Sequence, residues 1–190
     1  MPKEAFRAQA RVLENEFFAR RDAEKLAALR KEIAARADRQ GLAEATGIPD
    51  ENVLQHLVEV GVTAETLAAF ALVPLVTVAW ADGDLDAKER KAVLEAAAAH
   101  DVEPGGAAYQ LLTTWLDAKP DPSLRRAWEG YVTAFGEVLP KEVVVALHHW
   151  IMTRAKNVAA ATGGFLGLGN KISEREQRVL DELEAVFGLS

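Results

Sequence analysis

Apolar residues in this chain recur at spacings of three and four almost everywhere and do not alternate over the length of a strand. Val and Ile are scattered among Ala, Leu, Glu, Lys and Arg, residues that favour helix, instead of gathering in β-rich runs. A chain of 190 residues, 49% of them apolar, can bury one good core. The expectation is an all-α protein, a helical bundle of about eight to nine helices.

Capping residues, prolines and glycines divide the pattern into helices. From Lys3 to Asp38 a single amphipathic stretch carries Phe6, Leu13, Phe17, Leu26, Leu29 and Ile33 on a drifting apolar face. Such a long N-terminal helix either straps along the core or stands free to dock a protein partner or pair with itself as a homo-oligomer. Thr63 caps an apolar helix that Pro74 kinks or restarts and that ends near Asp82-Gly83. Asp86 opens the next helix, to about His100, and another spans Gly105 to Ala118. Asp121-Pro122 is a cap followed by proline at the first helical position, and Pro140 starts a long helix to Thr162. A glycine-rich loop from Gly163 to Gly169 leads to a last helix that Ser173 caps and that ends before Gly188. The natural division is 1–62, a long helix plus a short helix pair, and 63–190, a helical domain.

The longest uncharged run, Thr66 to Ala81, is 16 residues, short of the ~18 or more of a membrane span, and reads as a buried core helix. The first residues are charged and lack the apolar core of a signal peptide, which points to a cytoplasmic protein. Phe165, Leu166 and Leu168 in the glycine-rich loop either tuck between helices or make a peripheral contact with a membrane or protein. Residues 1–39 hold ten Lys/Arg against seven Asp/Glu, leaving twelve against twenty-two beyond them. The body is therefore acidic and a poor binder of phosphate backbones.

The sharpest chemical feature lies where the apolar run stops. Asp82, Asp84, Asp86 and Glu89 place four carboxylates within eight residues. Their mutual repulsion would be relieved by a hard cation such as Ca²⁺ or Mg²⁺, which takes oxygen ligands from carboxylates, carbonyls and water. The stretch is not an EF-hand: Ala87 stands where that loop needs glycine, and Val93 where it needs a bidentate Glu. The same residues also serve a plainer purpose, with Asp86 and Glu89 as a capping box and Asp82-Gly83 as a helix stop.

The stretch Val78-Ala79-Trp80-Ala81-Asp82-Gly83-Asp84-Leu85-Asp86-x-x-Glu89 resembles the tellurite-resistance TerB-like family, over residues of about 63–188. The resemblance implies an all-helical fold with an internal pseudo-twofold repeat, clustered acidic residues that hold divalent cations, a role in metal or stress response, and protein partners. Carried over, the candidate metal ligands are Asp82, Asp86 and Glu89, with Asp84 assisting. A second copy is visible 87 positions on: Ile172-Ser173-x-x-Glu176 repeats Leu85-Asp86-x-x-Glu89, and Val93, Ala96 and Ala99 are matched by Leu180, Leu183 and Val186. This copy departs from the family pattern, because Gly169-Asn170 replaces the repeated Asp-Gly and only Ser173 and Glu176 remain as oxygen donors. A second metal site is accordingly not expected.

Other motifs lead away from catalysis and from DNA. Residues 42–57 look like a helix-turn-helix, with Gly47 in the turn and Ile48, Val53 and Leu57 as apolar anchors. Its second helix begins Asp50-Glu51 and holds no Lys or Arg, so it would repel phosphates. There is no cysteine, the only serines are Ser123, Ser173 and Ser190, and the glycine-rich loop lacks a Gly-Lys-Ser/Thr. His148 and His149 point about 100° apart on a helix and cannot share a metal. Trp80, Trp115, Trp128 and Trp150 read as core anchors. The expectation is a non-enzymatic, cation-binding sensor or scaffold, with a metal-free interaction module using the long helix as the alternative.

Overall fold

The computed structural model describes residues 2–161 and 172–188, with side chains from residue 24 onward. The glycine-rich loop at 163–169 and the side chains of Phe6, Leu13 and Phe17 lie outside the described residues. Nine α-helices and one 3-10 turn are present among those described, with no strand. They are α1 (Pro2–Thr46), α2 (Glu51–Glu59), a 3-10 turn (Ala64–Thr66), α3 (Leu67–Phe70), α4 (Val73–Ala79), α5 (Ala87–Ala98), α6 (Ala107–Asp117), α7 (Pro122–Val138), α8 (Lys141–Ala161) and α9 (Glu174–Val186).

The punctuation residues act as their chemistry requires. Pro74 sits in the first turn of α4, so the apolar run breaks after Phe70 and restarts. Asp121 caps α7 by accepting from the Ser123 N–H, with Pro122 as the first helical residue. Where the chain looked like a separate helix pair, the first member is simply the end of α1, because nothing between Arg39 and Glu44 breaks the helix except the tolerated Gly41. α1 stops at Gly47, whose φ of +71° is left-handed. The Asp50 side chain then caps α2 through the N–H groups of Asn52 and Val53. The acidic outer residues Glu51 and Glu59 of α2 face solvent, while Leu54 and Leu57 turn into the core.

The two repeat units form interlocked hairpins. α4 packs against α8, α5 also lies on α8, and α9 lies on both α8 and α4. Val93 and Leu180, matched in sequence, are both buried, as are Ala96 and Leu183. Trp128 and Trp115 are buried, whereas Trp80 and Trp150 are only half-buried. Trp80 donates its ring N–H to the Trp115 carbonyl at 2.9 Å, and Arg154 lies over the Trp150 ring.

Among the described residues, α1 packs on α2 and the 3-10 turn, and Leu42 near its C-terminal end is fully buried. Leu26, Leu29 and Ile33 are 54%, 52% and 61% exposed. The strapped arrangement therefore does not hold for this stretch of the helix. Deleting side chains at the two kinds of position should separate them: Leu183→Ala in the core costs about 2–5 kcal/mol. Leu29→Ser should stay within about 0.5 kcal/mol. Urea unfolding of both variants in dilute solution checks the contrast.

Candidate cation site at the two helix starts

The acidic turn begins where α4 ends, and Gly83 makes the turn possible with a φ of +105°, a conformation that costs a residue with a Cβ. Asp82 Oδ1 accepts the Asp84 N–H at 3.2 Å, a side-chain turn that fixes the loop. Asp86 Oδ1 accepts from the N–H groups of Lys88 and Glu89 at 2.7 and 2.8 Å. Glu89 reaches back, its Oε2 accepting the Asp86 N–H at 3.0 Å. The capping box expected from the sequence is thus formed in full.

The four sequence-derived residues are not equivalent. Asp82, Asp84 and Asp86 are exposed, while Glu89 turns inward and is 3% exposed. Among the described residues, no three or more His, Asp or Glu side chains converge as a ready-made metal cage. The turn therefore supplies one fixed, buried carboxylate and three solvated ones.

What the structure adds is the second helix start. Ser173 caps α9 by accepting the Glu176 N–H at 3.2 Å, and Glu176 Oε2 accepts the Ser173 N–H at 2.6 Å. Glu176 is 5% exposed. Arg175 donates from Nη1 to the Asp82 carbonyl at 2.9 Å, tying the start of α9 to the acidic turn. Lys119 donates to the Trp80 carbonyl at 3.2 Å from the other side. The sequence signalled Glu176 through its match to Glu89, yet gave no hint that Arg175 would reach the Asp82 carbonyl.

Electrostatics follows from this placement. Burial pushes the Glu89 carboxyl up to about 7; the Asp86 N–H pulls it down, and the charges of Asp86, Asp82 and Glu176 push it further up. Neither Glu89 nor Glu176 has a basic ion-pair partner within 4.0 Å among the described residues.

The remaining polar candidates sit elsewhere. His148 is half-buried beside Glu184 at 3.3 Å and against Phe187, and His149 is exposed, so the two do diverge. His100 packs at a tilt against Trp150, ring centroids 4.7 Å apart, and burial lowers its pKa. No helix among the described residues is long and apolar enough to cross a membrane. Comparison with protein-family models, with curated proteins and with solved structures gives no match.

A carboxyl whose folded pKa is raised keeps its proton in the folded chain over a range where the unfolded chain has already released it. Its contribution therefore favours the fold at low pH and is lost as pH rises from about 4.5 to about 7. Glu89→Gln should remove that part of the pH dependence and leave the variant the more stable of the two above neutrality. Urea midpoints measured across this range check both signs.

Proposed function

We propose that this chain is a non-enzymatic helical binding module of the TerB-like, tellurite-resistance type, a sensor or scaffold in a stress-response assembly whose acidic turn takes a divalent cation, Ca²⁺ or Mg²⁺. The observation that carries this reading is Glu89, a carboxylate buried at the foot of an apolar helix among other negative charges and without a basic partner. An isolated charge in such a place is costly, and a hard cation relieves both the burial penalty and the repulsion. Glu89 would be the anchoring ligand. Asp82 and Asp84, exposed on the same turn, would complete the shell with water, and Asp86 spends one oxygen on its cap and keeps the other. The cation would supply fixed positive charge and order the turn.

The resemblance of residues 78–89 to the family supports the same assignment. The lack of cysteine and of a serine-hydrolase motif supports a binding role over a catalytic one. Calorimetric titration of the full chain with calcium and then magnesium tests the reading. Heat of binding and a raised melting temperature are expected for the native sequence, and both should vanish in the Asp82→Asn/Glu89→Gln double variant. Neither heat nor a thermal shift in the native chain would overturn it.

One further observation favours a metal-free partner function for α1. Leu26, Leu29 and Ile33 form a solvent-facing apolar stripe at spacings of three and four on a helix that leaves the body. A protein partner or a second copy would cover it. Removing residues 1–34 spares Arg39, whose guanidinium bonds Gln55 and Glu51, and so keeps the body intact. Sedimentation should show any self-association lost in this truncated chain while cation binding persists; unchanged association would exclude α1 as the interface.

A further inference from the structure

We infer that the cleft between α3, α7 and α8 is a binding site for a neutral, ring-bearing small molecule with one hydrogen-bonding group, held against an aromatic wall and by the Tyr131 hydroxyl. This site shares no residue with the acidic turn and stands apart from the cation reading.

Protein interiors are close-packed, and a gap between helices has to be made by the residues that line it. Here a cleft of about 420 Å³ is bounded by Ala68 and Ala71 on α3 and just after it, by Tyr131 and Phe135 of α7, by Ile151 of α8 and by His100. That volume lies within the range of roughly 300–1,000 Å³ usual for small-molecule sites. Alanines put only methyl groups where larger side chains would close the space. The α7 wall is built of rings that brace one another: Tyr131 and Phe135 stack with centroids 5.2 Å apart, and Phe70 meets Tyr131 edge-on at 5.6 Å. Phe70 is fully buried behind them, yet Tyr131 and Phe135 are only half-buried, so the fold leaves part of their ring surface to water.

The polar groups of the cleft define the rest of the ligand. No Asp, Glu, Lys or Arg lines it. Burial holds His100 below its ordinary pKa, against the charge of Asp101 and helped by that of Arg154, so its imidazole is neutral at pH 7. A charged ligand would surrender its hydration here and gain no ion pair. Burial alone pushes the Tyr131 phenol up to about 12, so its hydroxyl keeps its proton and can donate. Among the described residues, Glu176 Oε1 is the only fully buried side-chain N or O atom without a hydrogen-bond partner. The Tyr131 hydroxyl and the His100 nitrogens, which have no partner in the protein either, are therefore open to solvent or to a ligand. A flat ring suits stacked aromatic walls and gives up little conformational freedom on binding, whereas an acyl chain must be ordered bond by bond.

Titration of the full-length chain with 2-naphthol, naphthalene, 2-naphthoate and 1-octanol, followed by calorimetry and by NMR, tests this. 2-Naphthol should bind saturably, with nuclear Overhauser contacts to the Ile151 methyls and the Phe135 ring. 2-Naphthoate should bind at least about tenfold more weakly. Tyr131→Phe should weaken 2-naphthol by roughly three- to tenfold and leave naphthalene unchanged. The inference is overturned if 2-naphthol does not bind, if its contacts lie elsewhere, if 2-naphthoate binds as tightly, or if Tyr131→Phe binds 2-naphthol as well as the native chain does. Preference for 1-octanol over 2-naphthol would also overturn it and assign the cleft to an aliphatic chain. Should Tyr131→Phe not fold, the native chain's preference for 2-naphthol over naphthalene, together with the ligand contacts, decides the outcome.

Discussion

The segment from Val73 to Ala79 has almost no face to offer to water: Val73, Pro74, Leu75, Val76, Val78 and Ala79 are all buried. At about 25 cal/mol per Å² of apolar surface, a helix that is greasy all round is stable only when enclosed on every side. α5, α7, α8 and α9 supply that enclosure. With α4 at the centre, the chain leaving its C-terminal end emerges beside the start of α9, where Arg175 reaches the Asp82 carbonyl. Arg175 and Lys119 complete the junction by taking up the carbonyls of Asp82 and Trp80.

That junction uses ordinary helix-capping chemistry for an unusual result. A capping-box glutamate at a surface helix is solvated and contributes modestly. Here both are buried, with α5 packed on α8 and α9 on α4. The backbone N–H groups of Asp86 and Ser173 are satisfied by the two glutamates; burial first, and neighbouring negative charge after it, raises the Glu89 carboxyl, and one buried oxygen of Glu176 has no hydrogen-bond partner.

The free length of α1 stands in contrast to this compact centre. Its C-terminal turns are fixed by Leu42, by the Thr46 hydroxyl donating to the Leu42 carbonyl and by Arg39 against α2. Before them, Leu26, Leu29 and Ile33 are each more than half exposed. The same helix that completes the body at one end thus offers an apolar surface at the other.

Helix type and most boundaries were legible in the sequence, because proline, glycine and capping residues act on the backbone within a turn of where they stand. Pro74, Asp86, Asp121, Ser173 and Gly83 each did what local sterics and hydrogen bonding require. The correspondence of Leu85–Glu89 with Ile172–Glu176 was also visible, as a repeat of local pattern. Proximity was not. Whether Leu29 is covered, whether Glu89 and Glu176 are buried, and which residue reaches the Asp82 carbonyl all depend on how the helices pack. Packing is a sum over many small contacts between distant segments, and no local rule contains it. The amino-acid order determined what each helix is and where it starts and stops; only the tertiary structure decided that both capping glutamates would be buried and that Arg175 would tie the start of α9 to the acidic turn.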